Sequence, residues 1–142
     1  MELEGHWFTS TQFEIEPGEE DEINPGIYGR QLAVWLKLRL QEYGHQVEEI
    51  INEDWGRCLM CQRSPFLLWV GCANISDVNQ VTGQDLRISK DSITWHCFAT
   101  AEVNLLKRLL GKPDNAKAVS ELNGVLQRIL VSEPTITIVS EP

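Results

Sequence analysis

Arg57-Cys58-Leu59-Met60-Cys61-Gln62-Arg63-Ser64-Pro65-Phe66-Leu67-Leu68-Trp69-Val70-Gly71-Cys72 is the stretch whose reading decides the fold. Two apolar runs, Arg57 to Gln62 and Phe66 to Cys72, flank a short connection that ends in a proline, the pattern of a β-hairpin. Leu67, Leu68, Trp69 and Val70 are apolar at consecutive positions, so this strand is expected to lie inside a sheet with both faces covered. The run is also the longest apolar stretch of the chain, far short of the ~20 residues that span a bilayer.

Upstream, His45 to Ile51 reads as a short strand, and Asn52-Glu53-Asp54-Trp55-Gly56 as a turn exposing two acids and an indole. Before it, Leu32, Trp35, Leu36, Leu40 and Tyr43 recur at helical spacing, with Asn24-Pro25 as the expected start and Gly44 as a left-handed cap. Residues Gly5 to Glu16 alternate as a strand that places Trp7, Thr9, Thr11, Phe13 and Ile15 on one side, ended by Pro17-Gly18. Downstream, Leu86 to Ser89 and Ser92 to Ala99 suggest a second hairpin, and Glu102 to Leu110 a short helix. Asp114 then caps a helix through Leu130 to Val131, and Thr135 to Val139 alternates like a last, edge strand. The expected product is one α+β domain over residues 1–142, an antiparallel-dominated sheet with about three helices on one face and an acidic connecting segment at 17–24.

The 142 residues carry 12 Lys+Arg against 21 Asp+Glu, a formal net charge of -9. Eight of those acids, Glu2, Glu4, Glu14, Glu16, Glu19, Glu20, Asp21 and Glu22, precede the first basic residue, Arg30. This balance has the wrong sign for a phosphate backbone or an anionic membrane, so neither nucleic acid nor membrane is an expected ligand. Glu2 and Glu4 stand where a secretory signal would be basic, which makes the cytoplasm the expected compartment. A charge run of this kind is either a solvated face or a docking surface for a basic partner.

Catalytic patterns are absent. There is no G-x-S-x-G, no phosphate-binding glycine loop, no H-E-x-x-H and no calcium loop, so no enzyme and no cofactor are expected. Cys58 and Cys61 form a C-x-x-C pair, yet on a strand this separation sends the thiols to opposite faces, unlike the converging thiolates of a zinc turn. The four cysteines, Cys58, Cys61, Cys72 and Cys97, are therefore read as small buried hydrophobes, with a zinc site through Cys72, Cys97 or His96 as the alternative. Glu48-Glu49 and Glu53-Asp54 are read as solvated acids or partner contacts, and Trp55 either as an interface anchor or as a cap on the core.

Asn24-Pro25-Gly26-Ile27-Tyr28-Gly29-Arg30-Gln31-Leu32, Trp35-Leu36, Glu53-Asp54-Trp55-Gly56 and Leu68-Trp69-Val70-Gly71-Cys72 together resemble small bacterial immunity proteins of polymorphic-toxin and type VI secretion systems. The W-x-G element Trp69-Val70-Gly71 is similar to that of the immunity-protein-52 type, usually paired with toxins of restriction-endonuclease fold. The resemblance implies a non-enzymatic protein that binds and neutralises a cognate toxin effector, with a cytoplasm-acting nuclease as the expected target. The contact surface expected for it is Glu14, Glu16, Glu19, Glu20, Asp21 and Glu22 together with Glu53, Asp54 and Trp55. Alternatives are a secretion adaptor that holds an effector without inhibiting it, and a small Cys-dependent metal-binding protein. Exposed edges at the first and last strands also allow a homodimer.

Overall fold

The computed structural model describes residues 5–19, 26–75, 93–102 and 115–142. Within them lie β1 (Gly5–Ser10), α1 (Arg30–Glu42), β2 (Glu49–Glu53), β3 (Gly56–Gln62), β4 (Leu67–Ile75), β5 (Thr94–Glu102), α2 (Asn115–Ser132) and β6 (Ile136–Val139). The strands form one sheet in the order β2-β3-β4-β5-β1-β6, with every neighbouring pair antiparallel. The expected α+β architecture is present, with two helices among the described residues. Neither is long and apolar enough to cross a membrane.

Strand alternation divides the sheet into two chemically different faces. Phe8, Leu59, Cys61, Leu68, Val70, Cys72, Trp95, Cys97 and Ala99 point to the side where α1 contributes Leu32, Leu36 and Leu40, and α2 contributes Leu122, Leu126, Ile129 and Leu130. These side chains form one contiguous core. The second face carries Trp7, Cys58, Met60, Trp69, His96 and Phe98, the alternate residues of the same strands.

The β3–β4 hairpin matches the sequence reading, with Leu59 opposite Val70 and Cys58 opposite Gly71. Trp69, expected to be covered on a two-sided core strand, is only partly buried. The end of α1 is also as expected. Gly44, at φ 87, donates its N–H to the carbonyl of Gln41, and His45 donates to Leu40, the double bond of a Schellman closure.

Five expectations are revised. The first strand, expected at an edge, is interior: β1 pairs with β5 on one side and β6 on the other, so the edges are β2 and β6. The strand expected over Gly5 to Glu16 stops at Ser10, and its core-facing residue is Phe8 instead of Trp7. Helix α1 starts at Arg30, with Gly29 as its N-cap. Asn24 and Pro25 lie outside the described residues. Glu102 ends β5, while the remainder of the helix expected to Leu110 lies outside the described residues, as do Leu86 to Ser89 and Asp114. The strand expected over His45 to Ile51 is β2, displaced to Glu49–Glu53.

Why α1 starts where it does follows from one carboxylate. Glu19 is fully buried, and its Oε1 accepts the N–H groups of Gly29 and Arg30 at 2.6 Å each. The other oxygen accepts the N–H of Glu16 at 2.8 Å. Negative charge at a helix N-terminus is favoured by the exposed donors and by the helix dipole. Gly29 sits in the left-handed region at φ 119, where a Cβ would also meet Trp95, so glycine is the residue this joint accommodates. The same Glu19 Oε1 lies 3.6 Å from Nη1 of Arg57, which is itself only 2% exposed.

Removing one partner of a buried ion pair strands the other charge. Glu19→Ala is expected to lower stability by about 3–5 kcal/mol in urea unfolding, and Glu19→Ala combined with Arg57→Met to recover part of that loss. A Glu19→Ala loss below about 1 kcal/mol would mean that the pair does not hold α1 to the sheet.

Candidate functional site

The helix-covered face is closed by its core, so the place to look is the second face and the turn at its margin. The β2–β3 hairpin pairs Glu53 with Gly56, leaving Asp54 and Trp55 as its two turn residues. Glu53 and Asp54 are exposed, and Trp55 is 37% exposed.

Trp55 does not stand alone. Its ring lies 5.7 Å from Trp69 and 5.7 Å from Phe98, and those two rings are also 5.7 Å apart in an edge-to-face arrangement. Phe98 continues to His96 at 5.1 Å, and His96 stacks on Trp7 at 4.4 Å with the rings nearly parallel. Five rings thus run across the β2–β3 turn, β4, β5 and β1. Gly71 makes this row fit: a Cβ there would overlap the Phe98 ring lying on it. The glycine of Trp69-Val70-Gly71 therefore acts as a seat for an aromatic of the next strand.

Burial, and secondarily the nearby His6, holds the His96 imidazole below its ordinary 6.5. His6 itself projects to the other face, where its Nε2 meets Asn123 Oδ1 of α2 at 2.8 Å. His96 and Cys97 take opposite faces, as adjacent strand residues must.

The acids expected to form one contact surface are divided by the structure. Glu14 is exposed, its backbone N–H bonded to Gln31 of α1, and Glu16 pairs with Arg30 at 3.1 Å. Both lie beside the helix. Glu19 is corrected: a carboxylate with no exposed surface, engaged by three N–H groups and Arg57, is a structural joint and does not face a partner. Glu20, Asp21 and Glu22 lie outside the described residues. Glu53 and Trp55 belong instead to the aromatic side of the sheet.

The cysteines behave as buried thiols. All four are free, and Cys72 and Cys97 face each other across β4 and β5 with Sγ atoms 3.7 Å apart in the core. Cys61 points into the core and Cys58 to the aromatic side, the opposite-face arrangement expected of the C-x-x-C pair. Burial pushes the Cys61 thiol up to about 12, and burial with the Glu53 charge pushes Cys58 up to about 11. Cys97 is raised well above the ordinary range by burial and by the hydrogen bond its thiol donates to Cys72. Among the described residues no three His, Cys, Asp or Glu side chains converge to hold a metal ion. A cleft of about 420 Å³ near the end of α1 is lined by His45, Glu48, Cys61, Gln62, Arg63 and Leu68. There Arg63 is already paired with Glu48 at 3.0 Å and with Glu49.

The sequence reading singled out Trp55 but missed the row it belongs to. The available signal was the period-2 placement of Trp69 with Gly71 and of His96 with Phe98, aromatics alternating with core residues on adjacent strands. No family model, curated protein or solved structure matches this chain.

Gly71→Ala is expected to displace Phe98, costing about 1–3 kcal/mol and flattening the near-UV circular dichroism of the indoles, while far-UV signal stays. An unchanged near-UV spectrum would contradict the seating role. The thiols should react with a small alkylating agent at pH 8 more than ~10-fold slower in the folded than in the denatured chain. Their raised values also set the sign of the alkaline limb. The contribution is complete below the unfolded value of 9.0 and is lost as pH climbs towards about 11 and 12. His96, lowered from 6.5, gives the opposite limb, with stability falling as pH drops below that value.

Proposed function

We propose that this chain is a non-enzymatic protein-binding domain that neutralises a basic protein toxin by stoichiometric occlusion, with a nuclease effector as the target class. The observation that supports it most is Trp55, an indole 37% exposed yet braced by Trp69 and Phe98, beside the exposed carboxylates of Glu53 and Asp54. Interfaces draw much of their energy from such anchors, aromatic residues held rigid before binding and surrounded by polar groups.

The acidic balance supports the same reading. A nuclease presents a basic groove to its substrate, and a partner with net charge -9 is steered towards that groove from a distance. Glu14, Glu16, Glu53 and Asp54, with Glu20, Asp21 and Glu22, supply the steering field, and Trp55 supplies residence time. The likeness to immunity proteins carried by Glu53-Asp54-Trp55-Gly56 and Trp69-Val70-Gly71 agrees, because those motifs place the turn and the seat of the aromatic row.

The test is capture of a basic partner from the source-cell lysate, followed by assay of that partner's nuclease activity against increasing amounts of this chain. Complete inhibition near one equivalent is expected, with Trp55→Ala weakening it about 30-fold (about 2 kcal/mol) mainly through faster dissociation. Glu53→Lys with Asp54→Lys should slow association at low salt and matter less at high salt. A captured partner that keeps full activity would replace inhibition with the adaptor reading.

A further inference from the structure

We infer that Trp55, braced by Trp69 and Phe98 and flanked by Glu53, is a stacking site for the guanidinium of an arginine side chain. This rests on reading the aromatic side of the sheet as the partner-facing side, and it names the chemistry that side selects.

Three observations carry it. The first is the platform itself: three rings in mutual contact at 5.7 Å, of which only Trp55 is substantially open. With its inner surface packed on two rings, the indole is already fixed, so a planar group stacking on it loses little additional side-chain freedom.

The second is charge. Glu53 pairs with Gly56 across β2 and β3 and shares the face of Cys58, whose thiol is raised by both Glu53 and Glu102 and lowered in part by Arg63. Glu53 forms no salt bridge among the described residues. Apart from Arg63, the described basic side chains are placed elsewhere. Arg57 is buried on the helix side, Arg30, Lys37 and Arg39 belong to α1, and Lys117 and Arg128 to α2. Arg63 is the described cation whose charge reaches this side, and it is held by the two carboxylates of Glu48 and Glu49, so the described part of the aromatic row combines π-surface with a negative balance.

The third is a precedent within the molecule. On α1 the Arg39 guanidinium lies 6.0 Å from the Trp35 ring while its Nη1 donates to Glu42 at 2.8 Å. Indole, guanidinium and carboxylate are there assembled from one chain. At Trp55 and Glu53 the indole and carboxylate are present and the cation would come from outside. Arginine suits this better than lysine, because a planar guanidinium stacks on the ring and donates in plane to a carboxylate at the same time.

The experiment uses the full chain labelled with nitrogen-15, and follows the indole N–H resonances of its five tryptophans during titration with N-acetylarginine methylamide. The citrulline and lysine counterparts serve as controls. The Trp55 and Trp69 signals are expected to shift saturably with the arginine compound while that of buried Trp95 stays in place. Citrulline should leave them nearly still, lysine should bind at least about threefold more weakly, and Glu53→Gln should weaken arginine binding by about the same factor. Trp55→Ala should abolish the Trp69 shift, with an unmoved Trp95 signal reporting that the fold persists. Equal response to citrulline, equal binding of lysine, or no saturable shift would each overturn the proposal. The readout needs no toxin, so the two ideas fail separately. Arginine binding without toxin inhibition would remove only the inhibitor reading, and inhibition without arginine selectivity would remove only this site.

Discussion

The buried carboxylate of Glu19 is the constraint from which much of the remaining geometry follows. A charge with no exposed surface is tolerated only if every part of it is satisfied, and here three backbone N–H groups and the Arg57 guanidinium do so. Those partners come from three places: the loop after β1, the first residues of α1 and the start of β3. One side chain thereby sets where the helix begins, how it sits over the sheet and where β3 leaves the β2–β3 turn. Arg57 follows the turn directly, with only Gly56 between it and Trp55. An acid on the helix side of the sheet thus helps to position the indole on the other side.

The two faces of the sheet solve the same packing requirement differently. The helix side is filled with aliphatic residues, small thiols and aromatics such as Phe8, Phe13 and Trp95, close-packed between two layers in the usual way. The other side is packed within its own plane, with each ring leaning on the next and Phe98 seated on Gly71. Aromatic pairs contribute about 0.5–1.5 kcal/mol each beyond the area they bury, so the row gives this side a fixed shape from its own side chains. A fixed aromatic surface can bind without first being ordered.

How much of this was legible in the sequence depended on whether the deciding contact is local. The β3–β4 hairpin, the Gly44 cap and the opposite faces of Cys58 and Cys61 follow from neighbours a few residues apart, and each matches the structure. The register of β1 was ambiguous because Trp7 and Phe8 offer one large aromatic to each face. Only the stacking of Trp7 on His96 and the burial of Phe8 against the helices settle it. Glu19 was unreadable for a stronger reason. It belongs to a run of acids that looks solvated, and the Arg57 that makes burial tolerable lies far along the chain. At the candidate site, the exposed Glu53-Asp54-Trp55 turn could be picked out locally. The support from Trp69 and Phe98 required the strand pairing.

Sheets paved with aromatics are used elsewhere to stack nucleic-acid bases, but they do so beside basic residues that meet the phosphates. Among its described residues this sheet has the platform with more acids than bases beside it. Glu53 and Glu102 lie on the aromatic side, close enough to Cys58 to help raise its thiol, while Arg57 is drawn to the helix side by Glu19 and Arg63, whose charge partly opposes the acids at Cys58, is paired with Glu48 and Glu49. A phosphate approaching the row would be repelled by the charges that attract a guanidinium, although the π-surface offered to both is the same. An aromatic face whose described neighbours are mainly carboxylates favours a cation over a phosphate, which is the property the proposed arginine site requires. Under the proposed inhibitor reading, such a face need not imitate a nucleic acid. It needs a fixed indole beside a carboxylate, and Glu53 and Trp55 supply both on one hairpin.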